Sequence, residues 1–190
     1  MLAYKSLDKG RSPFTGYRWQ VPASAGPGPW IESTGPLGLC VNGIHACTIE
    51  HLPLWIGVEL WTVELAGEII ETPVSLVAPR ARLVEKVTGW DKGARVAYAQ
   101  DASSRAAARV GPQGSPLVDF IAKMSSRGVV GEAGYWSAVL AGEMAAGRRN
   151  GADYDRAFAA ERALQAGCLA EILGRAPGVT RAPGDGIGGI

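Results

Sequence analysis

Apolar and polar residues alternate most strictly over Glu59–Leu65. Trp61, Val63 and Leu65 fall on one side and Leu60, Thr62 and Glu64 on the other, the period of a half-buried strand. The opening Ala3-Tyr4-Lys5-Ser6-Leu7 reads as a first strand, and Phe14, Tyr17 and Trp19 are spaced as part of a second. From Leu37 a short strand, a turn at Asn42-Gly43 and an extended Ile44-His45-Ala46-Cys47 predict a hairpin, because Asn-Gly tolerates the positive φ of tight hairpin turns. Thr48 is a suitable N-cap for a short helix through Leu52, Leu54, Trp55 and Ile56, with Gly57 ending it. After Ala66-Gly67, strands over 68–72 and 82–87 complete an antiparallel meander of four to six strands.

Beyond Trp90-Asp91 the pattern changes to an Ala-, Arg- and Glu-rich helical texture. Helices are predicted near 93–109, 116–126, 132–148 and 153–174. In the last, Leu164, Cys168 and Ile172 recur at steps of four, flanked by Phe158, Leu169 and Leu173. Arg156, Glu161, Arg162 and Glu171 fall largely elsewhere, so the apolar stripe is the face expected to pack. The expected fold class is α+β: a small antiparallel or mixed sheet with a short helix, then a helical C-terminal half. Residues 1–90 form the sheet unit, 91–174 the helical unit packed on it, and 175–190 a Gly/Pro-rich flexible tail.

Composition narrows the function classes. Hydrophobic residues at 47% and charged residues at 19% suit a globular chain of 190 residues, enough for a well-buried core. The net charge of +1 is evenly spread, which argues against a general nucleic-acid surface. Three cysteines are an odd number for a disulfide scaffold, so a reducing, cytoplasmic setting is expected. No window approaches the roughly 20 apolar residues of a membrane span, and no export leader is read at the N-terminus.

The candidate chemistry is concentrated in one segment. Both histidines and two of the three cysteines lie within twelve residues, as Cys40, His45, Cys47 and His51. An extended 44–47 puts His45 and Cys47 on one side, and a following turn can bring back His51. Three chemistries and one bland alternative follow. The four side chains can form a Cys2His2 zinc shell, although the spacing is not that of familiar structural sites. One of them can be an axial haem ligand, with Trp55 and Trp61 as pocket walls. Cys47 can be a thiolate nucleophile activated by His45 or His51 near a helix N-terminus. Alternatively the cysteines are simply buried and a histidine bonds to backbone.

Other features are weaker. Trp30, in the loop Pro22–Gly35, either plugs the core or lines a binding site, the plug being favoured. Arg80 and Arg82 suit an anion but read mainly as solvated residues at a strand start. Glu64, Glu68 and Glu71 face water, and Cys168 is assigned to the core.

The run Leu39-Cys40-Val41-Asn42-Gly43-Ile44-His45-Ala46-Cys47, followed by the strand from Trp61 to Glu68, resembles a domain of unknown function found in bacterial and phage proteins. Tyr4-Lys5 resembles the aromatic-Lys start of its members. That family carries a Leu-Cys-x-Asn-Gly-Phe-His-Ala-Cys core, a short helix and a strand ending in Glu-x-x-Gly-Glu. The likeness covers about residues 3–90, with Ile44 where an aromatic is usual; it implies the strand-helix-strand order and no activity. The element order also resembles the front half of ADP-ribosyltransferase folds, which implies Tyr4, His45 and Trp55 around a nicotinamide ring of NAD, with Glu85 as the catalytic carboxylate.

Three functional expectations follow. The first is a Cys/His site that binds zinc or haem and can be catalytic. The second is an NAD-using transferase. The third is a non-enzymatic interaction module whose sheet half binds a partner and whose helices mediate homo-oligomerisation. The first two call for a small-molecule ligand.

Overall fold

The strictest alternation does form the longest strand, and the rest of the sheet is organised around it. In the structure, a computed structural model, residues 1–23, 26–147 and 151–174 are described; the tail expected at 175–190 lies outside them. Among the described residues the chain divides into two units: Met1–His51 with Glu59–Val87, and Leu52–Val58 with residues 88–174. The boundary expected near 90 falls at Val87/Thr88, and the short helix after Thr48 counts with the helical unit.

In the first unit, β1 (Leu2–Leu7), β2 (Ile31–Glu32), β4 (Glu59–Ala66) and β7 (Arg80–Lys86) make an antiparallel sheet in the order β1-β4-β7-β2. A second sheet has the order β3 (Ile44–Ala46), β6 (Leu76–Ala78), β5 (Ile70–Glu71). Ala3, Leu7, Trp61, Val63, Leu65, Leu76 and Leu83 meet in one core, joined by Trp19 from the first loop. Burying such side chains contributes roughly 1.5–3 kcal/mol each. β4 departs from simple half-burial: Leu60 and Thr62 are covered as well as Trp61 and Val63. A bulge lies at Thr62/Val63, where the register against β7 steps from Glu85 to Leu83.

Two expected strands are corrected. Residues 14–19 form a loop held by single bridges (Asp8 to Arg11, Arg11 to Arg18) and by the Trp19 indole, whose Nε1 donates to Ser12 Oγ at 2.8 Å. In place of a turn centred on Asn42-Gly43, the chain makes a three-residue turn just before it, in which Gly38 and Asn42 bridge around Leu39-Cys40-Val41. Asn42 is instead spent on the preceding loop, with Nδ2 donating to Thr34 O and Pro36 O and Oδ1 accepting from Ser33 Oγ. The extended Ile44–Ala46 pairs with the unforeseen β6. Gly43 is required where it stands: φ is +117°, and a Cβ there would lie 2.4 Å from Val77 Cγ1.

The second unit comprises α1 (Leu52–Trp55), α2 (Lys92–Val110), α3 (Pro116–Ser126), α4 (Val130–Ala146) and α5 (Ala152–Ile172). The four long helices fall within about two residues of the ranges the periodicity predicts. Asp91 caps α2 by accepting from Ala94 N at 2.8 Å, and Ser115 followed by Pro116 starts α3. α4 buries Ala133, Gly134, Ser137, Ala138, Ala141 and Gly142. A Cβ on Gly142 would meet the Tyr154 ring at 2.5 Å, and one on Gly134 would meet Tyr98 Oη at 2.8 Å, so α5 and α2 approach α4 closely.

α5 corrects its expected face. Leu164 is exposed and Cys168 is half-buried, whereas Glu161, Arg162, Gln165, Ala166, Leu169 and Ala170 are buried. The small residues of α4 leave room for a polar layer centred on Glu161, whose two carboxylate oxygens accept four hydrogen bonds, although Arg105 Nη2, Arg109 Nη1 and Arg162 Nε in the same layer are buried without a partner. Among the described residues, no helix is long and apolar enough to cross a membrane.

Candidate functional site

The Cys40–His51 segment is anchored by backbone rather than by side-chain chemistry. Cys47 exchanges both main-chain hydrogen bonds with Tyr4 of β1, at 2.7 and 2.8 Å, and this bridge ties the end of β3 to β1. Beside it the Lys5 ammonium, on a half-buried side chain, donates to His45 O at 2.7 Å and lies 5.8 Å from the Trp19 ring centroid. Burial pulls the Lys5 pKa below its ordinary value, while the neighbouring Cys47 opposes the shift.

His45 is committed to the chain around it. Its Nε2 accepts from Cys40 N at 3.1 Å, and the ring also bonds to the Gly43 backbone. An accepting Nε2 is unprotonated, so the neutral ring carries its proton on Nδ1. Burial lowers the His45 pKa, the Lys5 charge lowers it further, and the Gly43 bond acts in the opposite sense. The Cys40 amide is in position to donate because Cys40 takes a left-handed conformation, φ +59°, leaving its own side chain exposed at the turn.

Cys47 is buried, and burial pushes its thiol up to about 12, with the Lys5 charge pulling the other way. At pH 7 only about one part in 10⁵ would be thiolate. Cys47 and His45 therefore lack the pairing that activates a nucleophile: the thiol is held neutral and the imidazole lone pair is already used. His51 has its Nδ1 buried with no hydrogen-bond partner. Among the described residues no three His, Cys, Asp or Glu side chains converge as a set that could hold a metal ion, Cys40, His45, Cys47 and His51 included.

The other sequence candidates are placed as follows. Tyr4 and Trp61 are buried in the sheet unit, with Trp61 opposite Lys5 in the register and the Lys86 ammonium 6.0 Å from its ring. Trp55 is half-buried on α1 in the helical unit, and Glu85 is exposed on β7. Trp30 is half-buried beneath two guanidiniums, Arg80 at 5.0 Å and Arg82 at 4.5 Å from its ring. Each arginine is also paired with a carboxylate, Arg80 with Glu32 at 2.9 Å and Arg82 with Glu64 at 2.6 Å. Trp30 thus caps a cross-strand charge ladder, and the arginines are neutralised where an anion site would need them free.

Two groupings in the helical unit were not legible in the sequence. The first is the buried layer around Glu161, which is fully enclosed. Its Oε1 accepts from Arg105 Nε at 3.0 Å, Gln165 Nε2 at 3.1 Å and Ser137 Oγ at 3.2 Å, and its Oε2 from Arg109 Nη2 at 2.5 Å. Arg105 also pairs with Asp101, and Arg162 donates to Pro53 O at 2.8 Å and Gln165 Oε1 at 2.9 Å. The signal for it was the i,i+4 spacing of Arg105 with Arg109 and of Glu161 with Gln165.

The second grouping is a ribbon of rings. Phe120 of α3 meets Trp136 of α4 edge-on at 5.9 Å, and Trp136 meets Tyr135 at 5.4 Å. Tyr135 meets Phe158 of α5 at 6.1 Å, and Phe158 stacks on Tyr154 at 6.0 Å. These are all the aromatic residues from Phe120 to the C-terminus. Beneath the middle of the ribbon the Arg162 guanidinium lies 5.6 Å from the Tyr135 ring and 5.3 Å from that of Phe158. Tyr135, the central ring, remains 45% exposed and Phe120, at one end, 36%. Tyr154 and Phe158 at i,i+4 hint at such a ribbon; its other rings are joined only by tertiary packing.

No protein-family model, no curated protein and no solved structure matches the chain.

Proposed function

We propose that the protein is a non-enzymatic interaction module whose binding face is the aromatic ribbon of α3, α4 and α5. The observation that carries this reading is that five rings from three helices touch in one continuous row, with the central ring and one end ring open to solvent. Rigid aromatic rings beside a guanidinium are the side chains that dominate binding energy at protein interfaces, because they bury much area at little entropic cost. The segment richest in reactive residues supports the reading from the other side. Its imidazole is bonded to backbone at Cys40 and Gly43, and its buried thiol is held neutral, so both groups serve the fold.

The reading is tested by placing a photo-crosslinking phenylalanine analogue at position 135 in the producing cell. The expected result is a discrete adduct that disappears when Phe120→Arg is added. Irradiation that yields only uncrosslinked chain, with the variant folded, overturns the proposal.

A further inference from the structure

We infer that the small meander at residues 8–19 is a docking finger for an anionic lipid surface, with Phe14 entering the interface and Arg11 and Arg18 holding headgroup phosphates. It lies in the sheet unit and does not depend on the ribbon. The chain turns twice there. Asp8 pairs with Arg11 around Lys9-Gly10, both at positive φ, and Arg11 pairs in turn with Arg18 around a loop tipped by Pro13 and Phe14. The main-chain bonds from Ser12 N to Tyr17 O and from Trp19 N to Gly10 O flank the Arg11–Arg18 pair. It is therefore the closer, non-hydrogen-bonded kind of antiparallel pair, with Cα atoms about 4.5 Å apart. Like charges directly opposite each other destabilise a ladder. Both arginines are exposed, and the one acid of the segment, Asp8, stands on the far side of Arg11. Glu59, behind the first turn, is taken by Gly10 N at 3.1 Å and Lys86 Nζ at 3.2 Å. An anionic phosphate seated at both guanidiniums supplies the missing counter-charge.

The tip selects a lipid surface over free phosphate or nucleic acid. Phe14 is 83% exposed and Tyr17 47%, and a free phosphate gains nothing from either ring. The loop beneath them is held in place: the buried Trp19 donates to Ser12 Oγ at 2.8 Å and meets the Tyr17 ring edge-on at 6.0 Å, and Arg11 Nη1 donates to Gly16 O at 3.1 Å. Its backbone carries its own hydrogen bonds. Pro13 has no N–H, and those of Ser12, Gly16 and Tyr17 are bonded to Tyr17 O, Ser12 O and Thr15 Oγ1. Such a loop loses little on leaving water, a condition that entry into a bilayer sets and stacking on a base does not. Tyr17, with an apolar ring and a polar tip, suits the headgroup level beside the inserted Phe14. Lys9, exposed at the other turn, adds general attraction to an anionic surface. One ring and three cations make a reversible contact rather than a stable anchor.

The test is flotation of the purified full chain with phosphatidylcholine vesicles, with and without phosphatidylserine, alongside titration of a fluorescent single-stranded RNA. The expected result is binding to the phosphatidylserine vesicles alone, reversed by high salt. Phe14→Ser should weaken it at least about tenfold, and Arg11→Gln with Arg18→Gln roughly thirtyfold. All three positions are exposed, and circular dichroism checks that the variants fold. Phe14→Leu should retain binding. Three outcomes overturn the inference. The first is no binding to either vesicle, whether or not the RNA binds. The second is vesicle binding indifferent to Phe14→Ser, which would leave only a diffuse charge attraction. The third is vesicle binding abolished by inorganic phosphate at constant ionic strength, which would make the arginine pair a site for the free ion.

Discussion

Replacing Glu161 by Gln keeps the shape of the side chain and removes the charge at the centre of the helical unit. The carboxylate is fully enclosed and accepts four hydrogen bonds, two of them from Arg105 and Arg109. An amide offers one oxygen, so one side of the group would present N–H to a guanidinium that also presents N–H. Removing one partner of a buried ion pair costs about 3–5 kcal/mol. Here the cost falls at the low end, about 3 kcal/mol, because Arg105 keeps Asp101 and the two arginine side chains retain 21% and 28% exposure through which water can reach them.

Urea unfolding followed by far-ultraviolet circular dichroism reads this directly. With a slope of about 2 kcal/mol/M, the midpoint of the helical transition should fall by about 1.5 M at unchanged slope. Replacing the set together, as Glu161→Leu with Arg105→Met and Arg109→Met, should recover most of the loss, since no charge is then stranded. A midpoint shift under about 0.3 M for Glu161→Gln would refute the reasoning, because it would mean that water already solvates the carboxylate.

Further expectations concern the sheet unit. With iodoacetamide at pH 8, Cys40 should alkylate readily in the native protein. Cys47, raised from an ordinary 9.0 to about 12, should react about a thousandfold more slowly from ionisation alone, and equal rates would contradict its burial. The lowered His45 pKa means that the unfolded chain binds the proton more readily than the folded one. Stability contributed by neutral His45 is therefore complete above 6.5 and is lost as pH falls from 6.5 through the folded value. The stability difference between wild type and His45→Gln should shrink over that window, and a difference that grows on acidification would contradict the sign. Gly43→Ala should cost at least about 2 kcal/mol in urea unfolding, since it adds a clash with Val77 to a strained φ, and a neutral effect would contradict the geometry.

Local signals in the sequence carried the helical unit well, because Asp91 and Ser115-Pro116 punctuate helices that are each long enough to show a period, although the helix expected to 148 runs past its actual cap at Gly147. They failed where partners are distant. Ile31–Glu32 and Leu76–Ala78 are two or three residues long and were not foreseen, since such strands exist only through pairing with β7 or with β3 and β5, whereas Ile70–Glu71 lies inside the strand expected over 68–72. Asn42-Gly43 carries the hairpin signal, yet Asn42 is drawn to Ser33, Thr34 and Pro36, and Gly43 is there to clear Val77. On α5 hydropathy favoured Leu164 and Cys168 over Glu161 and Gln165. Only the close approach of α4 and the arginines of α2 make the polar face the buried one. The candidate site shows the same division: the Cys/His spacing is visible in the sequence, but the hydrogen bonds that occupy His45 and the burial that silences Cys47 arise from the tertiary fold.

The central claim, that the ribbon is a face meant to be covered, is tested most directly by hydroxyl-radical footprinting of the chain inside the producing cell and, as reference, of the dilute purified chain, read residue by residue. Val41, exposed on a turn of the sheet unit, serves as the internal standard. The account predicts that oxidation of Tyr135 and Phe120 relative to Val41 is far lower in the cell than in the dilute purified chain, and that Tyr135→Glu removes the protection at Phe120. Oxidation of both rings at the same ratio to Val41 in the two settings would contradict it.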